Sequence, residues 1–414
     1  MIVCKFGGSS LISLESLKLI KKILNSNSDR KIIVLSAIGK NNAKDEKLTD
    51  ILINLAKSNN DEDLNSYFLQ AKSKMQKFAN ELEVACDFFN FSKFYSDIKN
   101  GCSHNYIVSR GEYFTAKVCS KFLGYKFIDA TDLLIHKGKE ITLNKDLISL
   151  KKSLRKNRIV IPGFYFADEN KNIQLFNRGG GDVSGAIIAH LLNATLYENF
   201  TDVNGLLNID KNIVRANHTI KEISYSQIYK TSFLGIDVFN KESVAYVARK
   251  NIETHVKNTY NYKAEYTKIK NNVFEKTENY IFGKTKKCYC FKDVKKHLKM
   301  RLISDIFKVF MSYKINPEFI YYVNNKLYFK NENYKSEVIK EVNFINLVLY
   351  GKEQLKKIVD LKKLSIEFSI DIYCNDNLCF KENNYYEKNI VFFGEEITKE
   401  FLENAINILN EKEG

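Results

Sequence analysis

Several chemical signatures are missing from this 414-residue chain. No segment reaches the ~18 uninterrupted apolar residues of a membrane span, and the first residues are a short apolar run without the charged region and longer apolar stretch of a secretory signal. The cytoplasm is therefore the expected location, with no membrane as partner. Eight cysteines run from Cys4 to Cys379, but the close pairs Cys288/Cys290 and Cys374/Cys379 lack the Cys-x-x-Cys spacing and the histidines of a zinc site. They read as reduced, mostly buried thiols. A Gly-x-x-x-x-Gly-Lys-Ser/Thr phosphate loop is absent too. Lys+Arg number 64 against 49 Asp+Glu, a net charge of +15, yet these cations are scattered rather than gathered on an aromatic-rich segment. Nucleic acid is thus not an expected partner; small polyanionic substrates are.

What is present is glycine in two telling places. Lys5-Phe6-Gly7-Gly8-Ser9-Ser10 and Arg178-Gly179-Gly180-Gly181-Asp182 each lie between an apolar, strand-like run and the start of a helical pattern. Where a strand hands over to a helix, unpaired N–H groups and the positive end of the helix dipole converge, and glycine lets an anion approach them. Lys5 precedes its glycines, inside the strand Ile2-Val3-Cys4-Lys5-Phe6. Burying an ammonium is costly without a partner charge, which a bound triphosphate would supply. The alternative is a strand-end lysine reaching solvent beside a structural Gly-Gly turn. For Asp182 the alternative is a plain helix N-cap.

Fourteen of the eighteen glycines precede residue 240, separating a ligand-handling region from a plainer tail. Up to about Tyr260, strand-like runs (Ile2 to Phe6, Ile32 to Leu35, Phe127-Ile128, Arg158 to Phe166, Leu196 to Phe200, His255 to Asn258) alternate with helical stretches. That alternation predicts an α/β fold, a mainly parallel sheet covered by helices. From about Lys284 to Gly414, two strand-helix-hairpin units follow one another. The first has a strand at Cys288 to Phe291, a helix at Val294 to Tyr313 and a hairpin of Glu318 to Val323 with Lys326 to Lys330. The second has Asn343 to Tyr350, Lys352 to Val359, and a hairpin of Ser365 to Cys374 with Asn377 to Phe380. They suggest two small α+β modules, the alternative being one irregular α+β dimerisation domain. The expected domains are 1–262 and 284–414.

Eight motifs occur in order: Lys-Phe-Gly-Gly-Ser-Ser at 5–10, Leu-Ser-Ala-x-Gly-Lys at 35–40, Ser-Arg-Gly-Glu at 109–112, Pro-Gly-Phe at 162–164, Arg-Gly-Gly-x-Asp at 178–182, Thr-Asp-Val-x-Gly at 201–205, Ile-Ser-Tyr at 223–225 and Lys-Asn-Thr at 257–259. In these the chain resembles the aspartate kinases of the amino-acid-kinase superfamily. The resemblance implies a sandwich-like α/β catalytic domain followed by ACT-like regulatory modules, which commonly dimerise in the family. It implies transfer of the γ-phosphoryl of MgATP to the β-carboxylate of L-aspartate, the first step towards lysine, threonine and methionine. Aspartate's side chain, with a reference pKa of about 3.9, is already ionised and needs no general base. The absence of histidine beside the motifs is then expected.

Catalysis would reduce to alignment and charge neutralisation. By resemblance, Lys5 stabilises the transferring phosphoryl, Gly7, Gly8 and Ser9 cradle it, and Asp182 orients Lys5 and helps place Mg2+. Arg178 offers a fork suited to a carboxylate. With Gly179 and Gly180 beside it, and with Ser36 and Glu112, it would line the aspartate site, Glu112 meeting the α-ammonium. The alternatives are a surface ion pair for Glu112 and a turn hydroxyl for Ser36. Thr201 and Asp202 would serve the adenosine side, and Lys40 would reach phosphate or substrate.

Departures from the family are specific. Asp210-Lys211-Asn212 stands where Asp-Pro-Arg is usual; Asp210 and Lys211 remain ATP-side candidates, but lysine lacks arginine's fork. Gly181 replaces a common serine, the proline-bearing segment after Thr259 has no proline, and Asp293-Val294-Lys295-Lys296 lacks the effector-holding turn. Two other readings therefore stand beside aspartate kinase: a sibling kinase for another carboxylate or phosphate acceptor, and a catalytically silent scaffold.

Overall fold

The protein is described by a computed structural model covering residues 1–138, 140–144, 157–176, 179–209, 218–228, 241–271, 279–282, 286–291, 319–323, 326–330, 339–351, 355–375, 386–394 and 396–410. The chain divides into two compact units. The first comprises Met1–Leu206, Thr219–Tyr229 and Phe239–Val273; the second comprises Leu207–His218, Lys230–Val238 and Phe274–Gly414.

In the first unit the strands are β1 (Ile2–Phe6), β2 (Arg30–Leu35), β3 (Lys126–Phe127), β4 (Leu134–Lys137), β5 (Glu140–Leu143), β6 (Ile159–Pro162), β7 (Tyr165–Ala167), β8 (Ile173–Leu175), β9 (Leu196–Thr201), β10 (Glu222–Ser224), β11 (Glu253–Asn258) and β12 (Thr267–Lys270). Eight of them form a sheet in the order β10-β12-β11-β9-β1-β2-β6-β3. Only the β11–β12 pairing is antiparallel. A smaller sheet runs β5-β4-β7-β8.

Strand alternation sends successive side chains of β1 to opposite faces. Cys4 and Phe6, with Ile33, Leu35 and Phe200, pack against helices Leu14–Asn25, Leu48–Lys57 and His104–Leu123 in one buried cluster. Phe6 and Phe200 stack with centroids 4.6 Å apart. The helix Leu14–Asn25 starts where it does because Ser13 and Ser16 form a reciprocal capping box. Val3 and Lys5 face the other way, towards helix Gly180–Leu191. No helix among the described residues is long and apolar enough to cross a membrane.

On the Cys4 face lies a buried charge cluster. Arg30 donates to both oxygens of Glu198 at 2.6 and 2.9 Å, and Lys257 Nζ to Oε1 at 3.2 Å. Burial alone would raise the Glu198 carboxyl, but the Arg30 hydrogen bonds and the charges of Lys257 and Arg30 outweigh it and hold it low. Glu198→Gln keeps the shape and deletes the charge that two buried cations share. It is expected to lower unfolding free energy by about 2 kcal/mol in urea titration; an unchanged midpoint would contradict the account.

The second unit contains β13 (Asn279–Phe282), β14 (Lys286–Phe291), β15 (Phe319–Val323), β16 (Lys326–Lys330), β17 (Ile339–Gly351), β18 (Asp371–Asn375) and β19 (Tyr386–Gly394). The sheet runs β15-β16-β14-β17-β19-β18, with β13 on β17, and every pairing is antiparallel. β15 and β16 form the expected hairpin, Val323 opposite Lys326. Elsewhere the order differs from expectation. Helix Leu355–Glu367 runs through Ser365 because Ile358, Leu361 and Leu364 repeat at helical spacing and pack against the final helix, Lys399–Asn410. The strand starts only at Asp371, and its partner is β19. The expected helix at Val294 to Tyr313 and strand at Asn377 to Phe380 lie outside the described residues.

Candidate active site

The parallel strands β1, β2, β6 and β9 end side by side, so the loops leaving them share one edge of the sheet. Ser36 N–H donates to Phe6 O at 3.2 Å, Gly163 N–H to Leu35 O at 2.8 Å and Gly7 N–H to Phe200 O at 3.2 Å. Beyond β1 the chain makes a single 3-10 turn, Gly8–Ser10. This turn lies directly on the loop after β2. A Cβ on Gly39 would stand 2.2 Å from Gly8 O, so only glycine permits the approach. The carboxyl edge of such a sheet is where α/β folds bind ligands.

Lys5 does not reach solvent. It is 8% exposed, and its Nζ sits 2.6 Å from Asp182 Oδ1. Nor is Asp182 an N-cap: Gly179 occupies that position at φ 80°, and Asp182 is the third residue of helix Gly180–Leu191. Its carboxylate projects from the first turn, beside the positive end of the helix dipole. Asn199 Nδ2 donates to the same Oδ1 at 3.0 Å, and Tyr197 OH to the Asp182 carbonyl at 3.1 Å. Two neighbours on β9's chain segment thus lock Asp182, and the strand register places Asn199 opposite Lys5.

With both Lys5 and Asn199 on Oδ1, Asp182 Oδ2 accepts no hydrogen bond among the described residues, and the side chain is 23% exposed. No group of three or more metal-ligating side chains gathers among those residues. One free carboxylate oxygen fits Mg2+, which keeps waters and takes substrate phosphates rather than an all-protein cage.

Glu112, on helix His104–Leu123, is 4% exposed and points at the loop after β2. Oε1 accepts from Ala37 N–H at 3.3 Å, while Oε2 is buried without a hydrogen-bond partner among the described residues. Burial pushes its carboxyl up to about 8, with backbone N–H groups and the Thr49 hydroxyl offsetting only part. Arg110, two residues away, is no counter-ion for it. Its guanidinium lies over the rings of Tyr106 and Tyr113, 4.8 and 4.6 Å from their centroids. Glu112 is therefore not a surface ion pair.

Ser36 faces the second glycine loop, where a Cβ on Gly181 would fall 2.8 Å from Ser36 Oγ and 3.3 Å from Lys5 Cε. Glycine in place of the family's common serine lets these groups close in. Phe164 is held at φ 75°, its N–H bonded to Ser184 Oγ at 2.8 Å, and its ring stands against Gly180. A non-glycine residue in that region stores strain of about 1–3 kcal/mol, which tends to accumulate at functional sites.

Thr201 ends β9 and Asp202 opens the loop after it, Thr201 Oγ1 donating to Asp202 Oδ1 at 3.1 Å. Lys40 is exposed in the loop after β2. Lys5, Gly7, Gly8, Ser9, Ser36, Gly179, Gly180, Asp182, Thr201 and Asp202 all belong to loops or element ends at this edge, and Glu112 approaches it from the side. Arg178, Asp210 and Lys211 lie outside the described residues. Asn199 escaped the motif reading; its one signal was a second polar residue, after Glu198, inside a buried strand.

The profile of the amino acid kinase family matches residues 1–258. Aspartokinase 3 of Bacillus subtilis is 30% identical over 295 residues, spanning 65% of this chain and 63% of the relative. A bifunctional aspartokinase/homoserine dehydrogenase of Buchnera aphidicola is 26% identical over 298 residues, 64% of this chain and 36% of that protein. The chain thus spans less than two thirds of these relatives' own lengths. Among solved structures, aspartate kinase of Clostridium acetobutylicum superposes with a TM-score of 0.73 at 25% identity, covering 99% of both chains. E. coli aspartokinase III, solved with aspartate and ADP, shares the fold at a TM-score of 0.68 and 15% identity, covering 99% of this chain and 98% of that one. With a family match over more than half its length, laid on a carboxyl-edge site of two glycine loops, the chain belongs to the amino acid kinase family.

Proposed function

We propose that this protein is an aspartate kinase, transferring the γ-phosphoryl of MgATP to the β-carboxylate of L-aspartate to give 4-phospho-L-aspartate. The observation that carries the reading is the ion pair of buried Lys5 with half-buried Asp182 at the point where both glycine loops meet. The acceptor carboxylate and the γ-phosphate are both anions, so the work of the site is to hold them in line and neutralise the charge between them. Lys5 is the cation for the transferring phosphoryl. The N–H groups of Gly8 and Ser9 would serve the polyphosphate, whereas the Gly7 N–H is taken by the Phe200 carbonyl at 3.2 Å, so that Gly7 shapes the turn rather than donating. Asp182, fixed by Asn199, aims Lys5 and offers its other oxygen to Mg2+, which would spread charge from the β- and γ-phosphates.

For the acceptor, Glu112 presents an unpartnered carboxylate oxygen, a match for the α-ammonium of an amino acid. Ser36, Gly179, Gly180 and Arg178 complete the proposed aspartate site, Arg178 as the carboxylate clamp. Thr201, Asp202, Asp210 and Lys211 would serve the nucleotide. The second unit, an α+β antiparallel sheet, would be an ACT-like regulatory or dimerisation region. The superposition on Clostridium acetobutylicum aspartate kinase over 99% of both chains supports this organisation.

A silent scaffold would have no use for a buried charge pair that costs desolvation. Coupled ADP-release assays with aspartate, glutamate and UMP in parallel test the proposal. Turnover with aspartate alone is the expected result; turnover only with glutamate or UMP would assign a sibling activity. No turnover from folded protein would favour the scaffold.

A further inference from the structure

The two loops that would hold opposite ends of the nucleotide are tied together by three residues outside both glycine motifs. Asn258 ends β11, and Thr259 and Tyr260 follow. Towards the loop after β9, Thr259 N–H donates to Thr201 O at 2.8 Å, and Asn258 Nδ2 donates to Asn204 Oδ1 at 2.7 Å and to Asp202 O at 3.4 Å. Towards the turn after β1, the Thr259 and Ser10 hydroxyls are 2.6 Å apart, and Tyr260 OH donates to Ser9 O. Asn258 Oδ1 in turn accepts from Tyr260 N–H at 2.8 Å and Asn261 N–H at 3.3 Å, which fixes the direction in which the tyrosine leaves the strand.

The two halves of this arrangement differ in burial. Thr259 is fully buried between the loops, whereas the Tyr260 ring is 46% exposed and still commits its hydroxyl to the Ser9 carbonyl. An exposed tyrosine has water for its hydroxyl and little need of a backbone carbonyl. Its bond to Ser9 acts on the Gly8–Ser10 turn that leaves the strand carrying Lys5. Where phosphate is held by backbone donors, a displacement of about 1 Å costs on the order of a hundredfold in rate, so the spacing between the two loops is itself functional.

We infer that Asn258–Thr259–Tyr260 is a positioning bracket for a nucleoside polyphosphate, holding the Gly8–Ser10 turn and the Thr201–Gly205 loop at the separation that a single nucleotide spans. The inference rests on the proposed kinase reading for its ligand class, but not on the identity of the acceptor. None of the three residues has to touch the nucleotide; each acts through a loop that does.

The test uses the full chain with Tyr260→Phe, Thr259→Val and the double variant. Tyr260→Phe removes one exposed hydroxyl and leaves no buried group unpaired, so it separates positioning from folding even if Thr259→Val unfolds the protein. ADP affinity with Mg2+ by calorimetry, KM for ATP, KM for aspartate and melting temperature are read together. The expected result is a several-fold weaker ADP affinity and higher KM for ATP in Tyr260→Phe, and about tenfold in the double variant, with KM for aspartate changed less than about twofold. The melting temperature of Tyr260→Phe stays at the wild-type value. Unchanged ADP affinity in both Tyr260→Phe and the double variant overturns the bracket, as does a lower melting temperature with unaltered affinity. Wild-type protein that binds no ADP overturns the bracket together with the kinase reading. Wild-type protein that binds ADP but phosphorylates no aspartate overturns only the acceptor, and the ADP titrations still decide the bracket.

Discussion

Lys5→Ala is expected to lower kcat by about a thousandfold, the scale on which a single cation or oxyanion donor acts on a transferring group. The lysine is inside a strand, 8% exposed, and its charge is balanced by Asp182 at 2.6 Å. In the proposed transfer, negative charge is spread over the oxygens of the transferring phosphoryl, and Lys5 would interact with it more strongly there than in the ground state. kcat and kcat/KM should therefore fall together, with KM for ATP little altered. The fold should survive, because Asn199 Nδ2 still donates to Asp182 and the carboxylate retains partial exposure. Steady-state kinetics with circular dichroism check the prediction. Turnover within about tenfold of wild type would remove Lys5 from the mechanism.

Glu112→Gln is expected to raise KM for the amino acid by about a hundredfold, since removing one partner of a buried, hydrogen-bonded charge pair costs about 2–5 kcal/mol. The same residue sets a pH dependence. With its carboxyl pushed up to about 8 by burial, Glu112 is neutral in the free protein at pH 7. An α-ammonium needs it ionised, so binding below pH 8 releases a proton. KM for aspartate should fall as pH rises from 6 to 8, and calorimetry in buffers of different ionisation enthalpy should show close to one proton released per ligand at pH 6.5. Stability moves the opposite way. A group whose folded pKa is raised contributes stability that is complete below its unfolded value near 4.5 and is lost as pH rises through about 8. In Glu112→Gln both trends should vanish. A flat KM profile in wild type, or the same slope in the variant, would show that another group titrates.

Local signals carried much of the site. A strand followed at once by two glycines marks a tight turn, and three glycines before an acid mark the start of a helix, because both patterns follow from backbone geometry within ten residues. Asn199 had no such signal. Its importance arises from strand order: β9 lies beside β1, the register puts Asn199 across from Lys5, and both meet a helix that begins at Gly180. Pairings of that range are decided by the packing of the whole sheet. The burial of Glu112 follows from packing of the same range, which turns it towards the loop after β2 while Arg110, two residues away, lies over the rings of Tyr106 and Tyr113.

The second unit was harder. Ser365 to Cys374 has a strand-like composition, yet the spacing of Ile358, Leu361 and Leu364 continues a helix to Glu367, and the β-structure begins four residues later. The closing helix was legible in Phe401, Leu402, Ala405, Ile406 and Leu409, a helical repeat that went unread.

The central claim is that an acyl phosphate is made beside the Lys5–Asp182 pair. Trapping with hydroxylamine tests it most directly, because a β-aspartyl phosphate converts to a hydroxamate, read as its coloured iron(III) complex, whereas free aspartate does not. The account predicts hydroxamate that requires ATP, Mg2+ and L-aspartate together and disappears in Lys5→Ala. Folded wild-type protein that yields none, or a Lys5→Ala variant that yields as much as wild type, would contradict it.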